Sequence, residues 1–316
     1  MSDNFYRAFE DRHRGSRELI KTRLGVYLPF VQPLLGGGGE AKAVDLGCGR
    51  GEWLELITGL GFDAVGVDLD QGMLEACHEL GLKVEKGDAL SFLAVLPDES
   101  QSIVSAFHVV EHVTFEQLQT LVSQALRVLK PGGLLIMETP NPENIVVATR
   151  NFYLDPTHQR PIPPELLSFL PEYYGFARTK ILRLQESKEL AQRTELALQD
   201  VLGGASPDYA VVAQTAAAVN VVSLLDTPFS LEYGLSLESL TARYQDQLSA
   251  RFQQAETKAQ QAETKAQQAQ AQAQQAAQRG EQFAAELGAV YASQSWHITR
   301  PLRWLARRIR SLRKDA

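Results

Sequence analysis

The sequence is poor in cysteine and has no long apolar run. Its two cysteines, Cys48 and Cys77, are too few to hold a disulfide scaffold and indicate a reducing compartment. No apolar run reaches the roughly 18 residues that a membrane-spanning helix needs. Residues 1–23 are charged throughout and contain no apolar segment of the kind that a secretory signal carries. We therefore expect neither a transmembrane helix nor a secretory signal.

Positive charge is scarce over most of the chain and concentrated at its end. Residues 1–230 carry 19 Lys or Arg against 30 Asp or Glu, whereas residues 296–316 carry 7 against 1. An acidic body is a poor binder of nucleic acid, because the phosphate backbone repels it. The sequence therefore predicts no nucleic-acid partner and a separate role for the basic end.

Short apolar runs alternate with helical patterns over residues 40–217, after a charged helical lead-in at 1–39 in which Ser16 is expected to cap a helix. The predicted strands are 43–46, 64–68, a short strand within 83–89, 102–109 and 134–139, and the helices between them are 52–60, 71–80 and 115–129. Such alternation predicts an α/β domain with a mostly parallel sheet and helices on both faces. Runs 179–184 and 208–215 are predicted as an antiparallel pair at one sheet edge, separated by a helix at 187–202.

The composition changes beyond residue 217. Residues 253–280 are almost pure Gln and Ala and repeat every seven residues, as in QQAETKA twice over. Alanines at spacings of four and three form the a/d seam of a coiled coil, which continues to larger apolar residues at both ends. These are Leu248, Phe252, Phe283, Leu287 and Val290. We divide this part into a linker at 218–235, a self-associating stem at 236–290 and a tail at 291–316.

The tail has the pattern of a basic amphipathic helix. Its apolar stripe consists of Ile298, Leu302, Leu305, Ile309 and Leu312, flanked by Trp296 and Trp304 and surrounded by arginines. A short helix of this kind lies in the interface of an anionic membrane instead of spanning it. This interpretation predicts a cytoplasmic protein attached peripherally to the inner face of the cytoplasmic membrane. Packing of the stripe on the acidic body or on a partner protein is the alternative.

A glycine-rich segment, VDLGCGRGEW, joins the first strand to the first helix of the α/β domain. Gly47, Gly49 and Gly51 let the chain turn tightly and let a ligand approach the backbone. Asp68 ends the next strand, where its carboxylate can accept both hydrogen bonds of a ribose diol. These features alone fit a dinucleotide or an adenosyl cofactor.

Over about residues 40–217 the chain resembles class I S-adenosylmethionine-dependent methyltransferases, which have a seven-stranded, Rossmann-like sheet. The resemblance is carried by Asp45–Gly51, Asp68, Gly87–Ala89 and the segment KPGGLLIMETPN at 130–141. It implies S-adenosyl-L-methionine as cofactor, with Asp68 on the ribose and Asp88 on the adenine amine. The implied cofactor-binding residues are Asp45, Gly47, Gly49, Gly51, Asp68, Met73, Asp88, Ala89 and His108.

Three histidines are expected near the cofactor methyl, because ligands bind beyond the carboxyl ends of parallel strands. His158 is the candidate general base, with Asp155 as its orienting partner and His112 as a further catalytic candidate. A structural role for these histidines is the alternative. HVVEH at 108–112 with the distant His158 also resembles the ExxEH…H pattern of metal-assisted O-methyltransferases, although His108 replaces the first Glu. A divalent ion held by His108, Glu111, His112 and His158 is therefore a second hypothesis. The first hypothesis, which we favour, is a site without a metal.

Four segments resemble enzymes of bacterial surface-polysaccharide (O-antigen type) biosynthesis, including methyltransferases that carry coiled coils and a tail found on glycosyltransferases. They are 5–20, 140–144, 153–167 and 293–308. The resemblance implies O-methylation of a sugar hydroxyl in a surface glycan or its lipid-linked precursor, with polysaccharide-assembly glycosyltransferases as partners. Arg12, Arg14 and Arg17 either bind a phosphate or sugar or form a solvated helix face. Alternative functions are methylation of a quinone or small phenol, and a non-catalytic scaffold.

Overall fold

The computed structural model describes residues 15–37 and 40–312, and these form two compact units that divide after Gln247. The first unit is built on a seven-stranded sheet in the order β3-β2-β1-β4-β5-β7-β6, in which β7 is antiparallel to both of its neighbours. The strands are β1 (Lys42–Leu46), β2 (Asp63–Asp68), β3 (Val84–Lys86), β4 (Gln101–Phe107), β5 (Leu129–Pro140), β6 (Arg178–Leu184) and β7 (Asp208–Gln214). The predicted parallel sheet and the antiparallel pair at its edge are confirmed.

Helices and short 3-10 turns connect the strands of this unit. The helices are α1 (Arg17–Leu24), α2 (Leu28–Val31), α3 (Glu52–Leu60), α4 (Gln71–Glu79), α5 (Ala89–Val95), α6 (Phe115–Val128), α7 (Ile145–Thr149), α8 (Pro164–Tyr174), α9 (Lys188–Gln192), α10 (Leu198–Gly203), α11 (Val219–Val222) and α12 (Asp226–Ser230). Ser16 caps α1 as predicted, because its hydroxyl accepts from the Leu19 amide at 3.2 Å. The predicted helices 52–60, 71–80 and 115–129 correspond to α3, α4 and α6.

Two hydrophobic clusters cover the two faces of the sheet, because successive side chains of a strand point to opposite sides. In β1, Val44 belongs to the cluster that packs under α6 and α8, whereas Ala43 belongs to the one that includes α3. The lead-in contributes fully buried Tyr27 and Phe30 to the second cluster. The segment before β1 is thus part of the core of the sheet domain.

The helix predicted at 187–202 is two short helices, α9 and α10. Leu190 and Leu196 are both buried in one small cluster with Leu240. Residues six apart point about 120° away from each other on a continuous helix, so the two could not both face the centre of this cluster. The chain therefore has to break between them for both leucines to enter the same cluster.

Residues 218–235, predicted as a linker, are packed onto the sheet domain instead. Leu225 is fully buried, and the Phe229 ring lies 5.5 Å from that of Phe30 in an edge-on contact. Tyr233 also packs against this cluster. The burial of these apolar side chains, which the sequence pattern did not reveal, extends the first compact unit to Gln247.

The second unit is helical. It is formed by α13 (Leu237–Ala292), which begins in the first unit, and by α14 (Gln294–Ile298) and α15 (Arg300–Leu312). The 56 residues of α13 correspond to a length of about 84 Å, and the predicted long helix is confirmed. Residues 249–292 are all exposed. Within the described residues, no helix combines the length and apolarity that crossing a membrane requires.

Some predicted features lie outside the described residues. They are Arg12, Arg14 and most of segment 5–20 at the start of the chain, and Arg313 and Lys314 at its end. Gly38 and Gly39 of the lead-in and the Leu312 side chain are also not described. Arg17 is described. Its guanidinium donates to the Arg50 carbonyl at 2.6 Å and to a Glu55 carboxylate oxygen at 2.9 Å, which ties α1 to α3.

Candidate active site

A cavity of about 960 Å³ opens at the carboxyl ends of the parallel strands, where open sheets bind ligands. All of the predicted site residues except Gly51 line it. These are Asp45, Gly47, Gly49, Asp68, Met73, Asp88, Ala89, His108, His112, Asp155 and His158. The sheet thus brings together residues more than 100 positions apart, as the sequence analysis expected.

Two glycines of the loop after β1 are required for different reasons. Gly47 has a φ of +66°, and a Cβ there would lie 2.5 Å from Val109 Cγ2, so only glycine leaves backbone to border the cavity. Gly51 begins α3 with a φ of +77°, and a Cβ there would lie 2.7 Å from Leu82 and 2.8 Å from the Cys77 sulfur. Gly51 is therefore a packing position, which corrects its prediction as a cavity residue.

The carboxylate of Asp68 is held by two backbone amides. Gly49 N–H donates to Oδ2 at 2.9 Å and Asp70 N–H donates to Oδ1 at 2.8 Å. Asp70 caps α4 by accepting from the amides of Gly72 and Met73. The glycine loop and the end of β2 are thus fastened to each other, and Asp68 is oriented before any ligand arrives.

Two further acids are fixed by their neighbours. Asp45 is 2% exposed and accepts from the Ser105 hydroxyl at 2.7 Å. Asp88 caps α5 through Oδ1, which accepts from the amide and the hydroxyl of Ser91, each at 2.9 Å. The Asp88 carboxylate therefore stands at a fixed place in the cavity wall.

His158 has a defined tautomer. Its Nδ1 lies 2.6 Å from the Phe152 carbonyl oxygen, which can only accept, so Nδ1 carries the proton and Nε2 carries the lone pair. The ring packs against Phe152 and His112 and is 12% exposed. His158 Nε2 is 3.9 Å from Asp155 Oδ2, beyond a direct hydrogen bond but close enough for electrostatic attraction.

The side-chain hydrogen bonds of Asp155 lead to His112 through Thr157, while its other carboxylate oxygen faces His158. The Thr157 hydroxyl donates to Asp155 Oδ1 at 2.6 Å and lies 2.9 Å from His112 Nδ1. Because the hydroxyl has one proton, His112 Nδ1 must donate to it, which leaves His112 Nε2 with the lone pair. Burial, with the nearby His158, lowers the pKa of His112 despite the opposing charge of Glu111. The sequence contained no signal for Thr157.

His108 forms a charged group with buried carboxylates. Its Nδ1 is 3.2 Å from Glu111 Oε1, and its Nε2 is 3.6 Å from Glu138 Oε1. Burial opposes protonation of the ring, but hydrogen bonding to Glu111 and Glu138 outweighs it and holds the pKa of His108 well above its ordinary value. The pKa of Glu111 is lowered, because His108 more than offsets the effect of its burial.

Two acids beside His108 complete one end of the cavity, and the sequence pattern did not predict them. Glu138 ends β5 and accepts from Gln185 at 3.1 Å and from the Tyr27 hydroxyl. Asp208 begins β7. Burial raises its pKa to about 6, the charge of Glu138 adds to this rise, and the charge of His108 opposes it. Glu138 and Asp208 lie near strand ends beside His108, and this position could have identified them as site residues. Recognising it required knowledge that β5 pairs with β7.

The comparisons with known proteins agree on one family. A methyltransferase-domain family model matches residues 44–137. A solved S-adenosylmethionine-dependent methyltransferase from Archaeoglobus fulgidus is 35% identical, and the match covers 67% of this chain and 100% of that chain with a TM-score of 0.59. The chain belongs to the S-adenosylmethionine-dependent methyltransferase family.

Two curated methyltransferases match over shorter segments. A probable S-adenosylmethionine-dependent methyltransferase of Mycolicibacterium smegmatis is 32% identical over 133 residues, which is 42% of this chain and 51% of that protein. A ubiquinone biosynthesis O-methyltransferase of Methylococcus capsulatus is 34% identical over 119 residues, or 36% of this chain and 49% of that protein. The chain spans about half the length of these curated relatives.

The cavity of this methyltransferase fits S-adenosylmethionine, the cofactor of its family. Gly47 leaves room at the backbone, and the Asp68 carboxylate is already oriented at the end of β2. Asp88 and Met73 line the same cavity. These residues could hold the ribose and adenine of the cofactor, as the resemblance implied.

Two groups in this methyltransferase have the geometry of a metal site. The ligand atoms of Glu111, His112 and His158 lie within 4.8 Å of one another, and so do those of His108, Glu138 and Asp208. The predicted four-residue site is therefore divided, with His108 in the second group. Two imidazoles with free Nε2 lone pairs and one carboxylate suit a divalent ion.

Proposed function

We propose that this methyltransferase O-methylates a sugar hydroxyl of a bacterial surface glycan or of its lipid-linked precursor. The proposal rests on a cavity that contains both the residues suited to the cofactor and two imidazoles that can accept a proton. The sequence resemblance to enzymes of surface-polysaccharide assembly supplies the acceptor class.

The polar end of the cavity is the observation that favours a sugar. Glu138, Asp208 and Gln185 offer oxygens that accept hydrogen bonds from the hydroxyls of a polyol. Trp53 lines the same cavity and is 2% exposed, and none of the described residues hydrogen bonds to its indole N–H.

His158 is the proposed general base. When bound, S-adenosylmethionine supplies a methyl group on a positively charged sulfur, and the acceptor oxygen forms its new bond to that methyl as the sulfur–methyl bond breaks. The hydroxyl proton passes to His158 Nε2, which carries the lone pair. Asp155 Oδ2, 3.9 Å away, stabilises the imidazolium that results.

Acceptor screening tests the sugar. Purified protein is incubated with methyl-labelled S-adenosylmethionine and either surface glycans with their lipid-linked precursors or a panel of quinols and small phenols. Label in the glycan fraction supports the proposal, and label only in the phenols contradicts it. Calorimetric titration with the cofactor separates the enzyme from a non-catalytic scaffold, which the absence of cofactor binding would favour.

Quinone methylation is the second candidate, because several relatives are named ubiquinone biosynthesis O-methyltransferases. The apolar wall formed by Phe107, Val113 and Leu154 would suit an aromatic ring. A divalent ion at Glu111, His112 and His158 would lower the pKa of a phenolic hydroxyl. Loss of turnover with a chelator and its recovery with Mg²⁺ would favour this candidate.

We also propose that α13 self-associates as a coiled coil. Its heptad seam is exposed along its whole central part, and the large residues at its ends are among the most exposed apolar side chains of the protein. Phe252 is 72% exposed and Phe283 70%. An all-alanine seam buries little area, so the pairing energy would come from these ends.

A further inference from the structure

The last described helix, α15, has an apolar side that is exposed to solvent. Leu302 is 69% exposed, Leu305 53% and Ile309 51%. At spacings of three and four they lie on one side of the helix. Trp304, which is 58% exposed, lies roughly 130° around the helix from this stripe, among the arginines. Exposed apolar surface of this kind marks a site for a partner or a membrane.

The remaining sides of α15 are positively charged. Arginines occupy positions 300, 303, 307, 308 and 310, and no acidic residue occurs from Gln294 to Leu312. The guanidinium of Arg308 lies 5.2 Å from the centre of the Trp304 ring. These five arginines therefore give α15 a strong positive charge.

Trp296 packs against neighbouring residues of the helical unit. It belongs to the short helix α14, which Ser293 caps. The Arg303 guanidinium stacks 3.6 Å from its ring centre, and Tyr291 packs on it edge-on at 4.7 Å. These contacts tie α13 and α15 to α14.

We infer that α15 binds the surface of an anionic lipid bilayer. Its 13 residues measure about 20 Å, too short to cross a hydrocarbon core of about 30 Å, so the helix lies in the interface. Nucleic acid would satisfy the arginines but would leave the leucine stripe in water. A lipid surface offers anionic headgroups and an apolar interior side by side, and so matches both features of the helix.

Vesicle sedimentation with the full chain tests this inference, and it uses no catalytic readout. Wild-type protein is mixed with phosphatidylglycerol vesicles and, separately, with phosphatidylcholine vesicles. We expect sedimentation with the first and not the second, weakened by salt. Arg307→Gln/Arg308→Gln/Arg310→Gln keeps the apolar stripe and should weaken binding on the order of 100-fold.

A second variant, Leu302→Gln/Leu305→Gln/Ile309→Gln, keeps the charge and should also lose vesicle binding. The matched control, Leu198→Gln/Val219→Gln/Leu231→Gln, changes three equally exposed aliphatic residues elsewhere and should bind as wild type does. Calorimetric titration with S-adenosylmethionine checks that each variant is folded. If a variant is not folded, protein truncated after Ala292 is used in its place. The inference would be overturned if wild-type protein did not sediment with phosphatidylglycerol vesicles, or if the two tail variants bound as wild type does. It would also be overturned if the tail bound duplex DNA and the protein did not bind vesicles.

Discussion

The two compact units of this methyltransferase use their apolar residues in opposite ways. In the sheet unit, Trp53, Phe30 and Phe107 are enclosed by the chain itself, and Trp53 and Phe107 line a cavity together with fixed polar groups. In the helical unit, Phe283 and Leu302 stand about 70% exposed. Since burial of apolar area is the main source of stability, the first unit contains its own driving force. Apolar residues of the second unit remain exposed, and we propose that another molecule covers them.

This contrast implies that the two units can be perturbed separately. Changes in the sheet unit should alter cofactor binding or turnover and leave association unchanged. Changes in the helical unit should alter association and leave cofactor affinity unchanged.

The largest expected effect is on turnover, from His158→Ala in the sheet unit. Removal of the Nε2 base should lower turnover by about 10²–10⁴-fold, with little change in cofactor affinity measured by calorimetry. His78→Ala, an exposed position on α4, is the control. A His158→Ala enzyme with wild-type turnover would remove this residue from the mechanism.

Asp68→Ala should weaken cofactor binding by roughly tenfold to a hundredfold, because it removes the ribose acceptor and leaves the loop amides without their partner. Isothermal titration with S-adenosylmethionine measures the change. Asp63→Ala, at the opposite end of β2 and exposed, should bind as wild type does. Equal affinity of the Asp68 variant and wild type would contradict the assigned role.

The third prediction concerns self-association of the helical unit. Phe283→Gln/Leu287→Gln/Val290→Gln should weaken self-association at least about tenfold, since three large residues lose their apolar contact area. Analytical ultracentrifugation of the full chain at high micromolar concentration measures it, and cofactor affinity should not change. Wild-type protein that remains monomeric at that concentration would count against a coiled coil.

The smallest expected effect concerns stability and pH. Asp208 has a folded-state pKa of about 6, above the value of about 4 for an unfolded aspartate. Its stabilising contribution is therefore complete below about pH 4 and is lost as the pH rises through 6. Asp208→Asn should thus be more stable than wild type at pH 7, by about 1–2 kcal/mol or a few degrees of Tm, and equal to it at pH 4.

Thermal unfolding at pH 4 and pH 7 measures this difference. Asp246→Asn, an exposed position on α13 in the same unit, should show no such dependence. A Tm advantage of Asp208→Asn that is the same at both pH values would show that ionisation of this carboxyl is not its cause.

Sequence alone determined the features that depend on local pattern. Alternating apolar runs predicted the strands and the helices α3, α4 and α6 to within a few residues, and the seven-residue repeat predicted the long helix. The glycines after β1 and Asp68 after β2 were recognisable because a tight turn and a strand-end acid follow from residue type and position. Proximity of His112 and His158 followed from the rule that parallel strands end at one edge.

Only the tertiary structure decided which partner each side chain has. Asp155 reaches His112 through Thr157 as well as facing His158, and Gly51 packs on Leu82 instead of bordering the cavity. The acidic group of His108, Glu138 and Asp208 exists because β7 runs antiparallel beside β5, which places the start of one strand at the end of the other. Hydrogen bonds and burial depend on distances between segments far apart in the chain, and periodicity along the sequence contains no information about those distances.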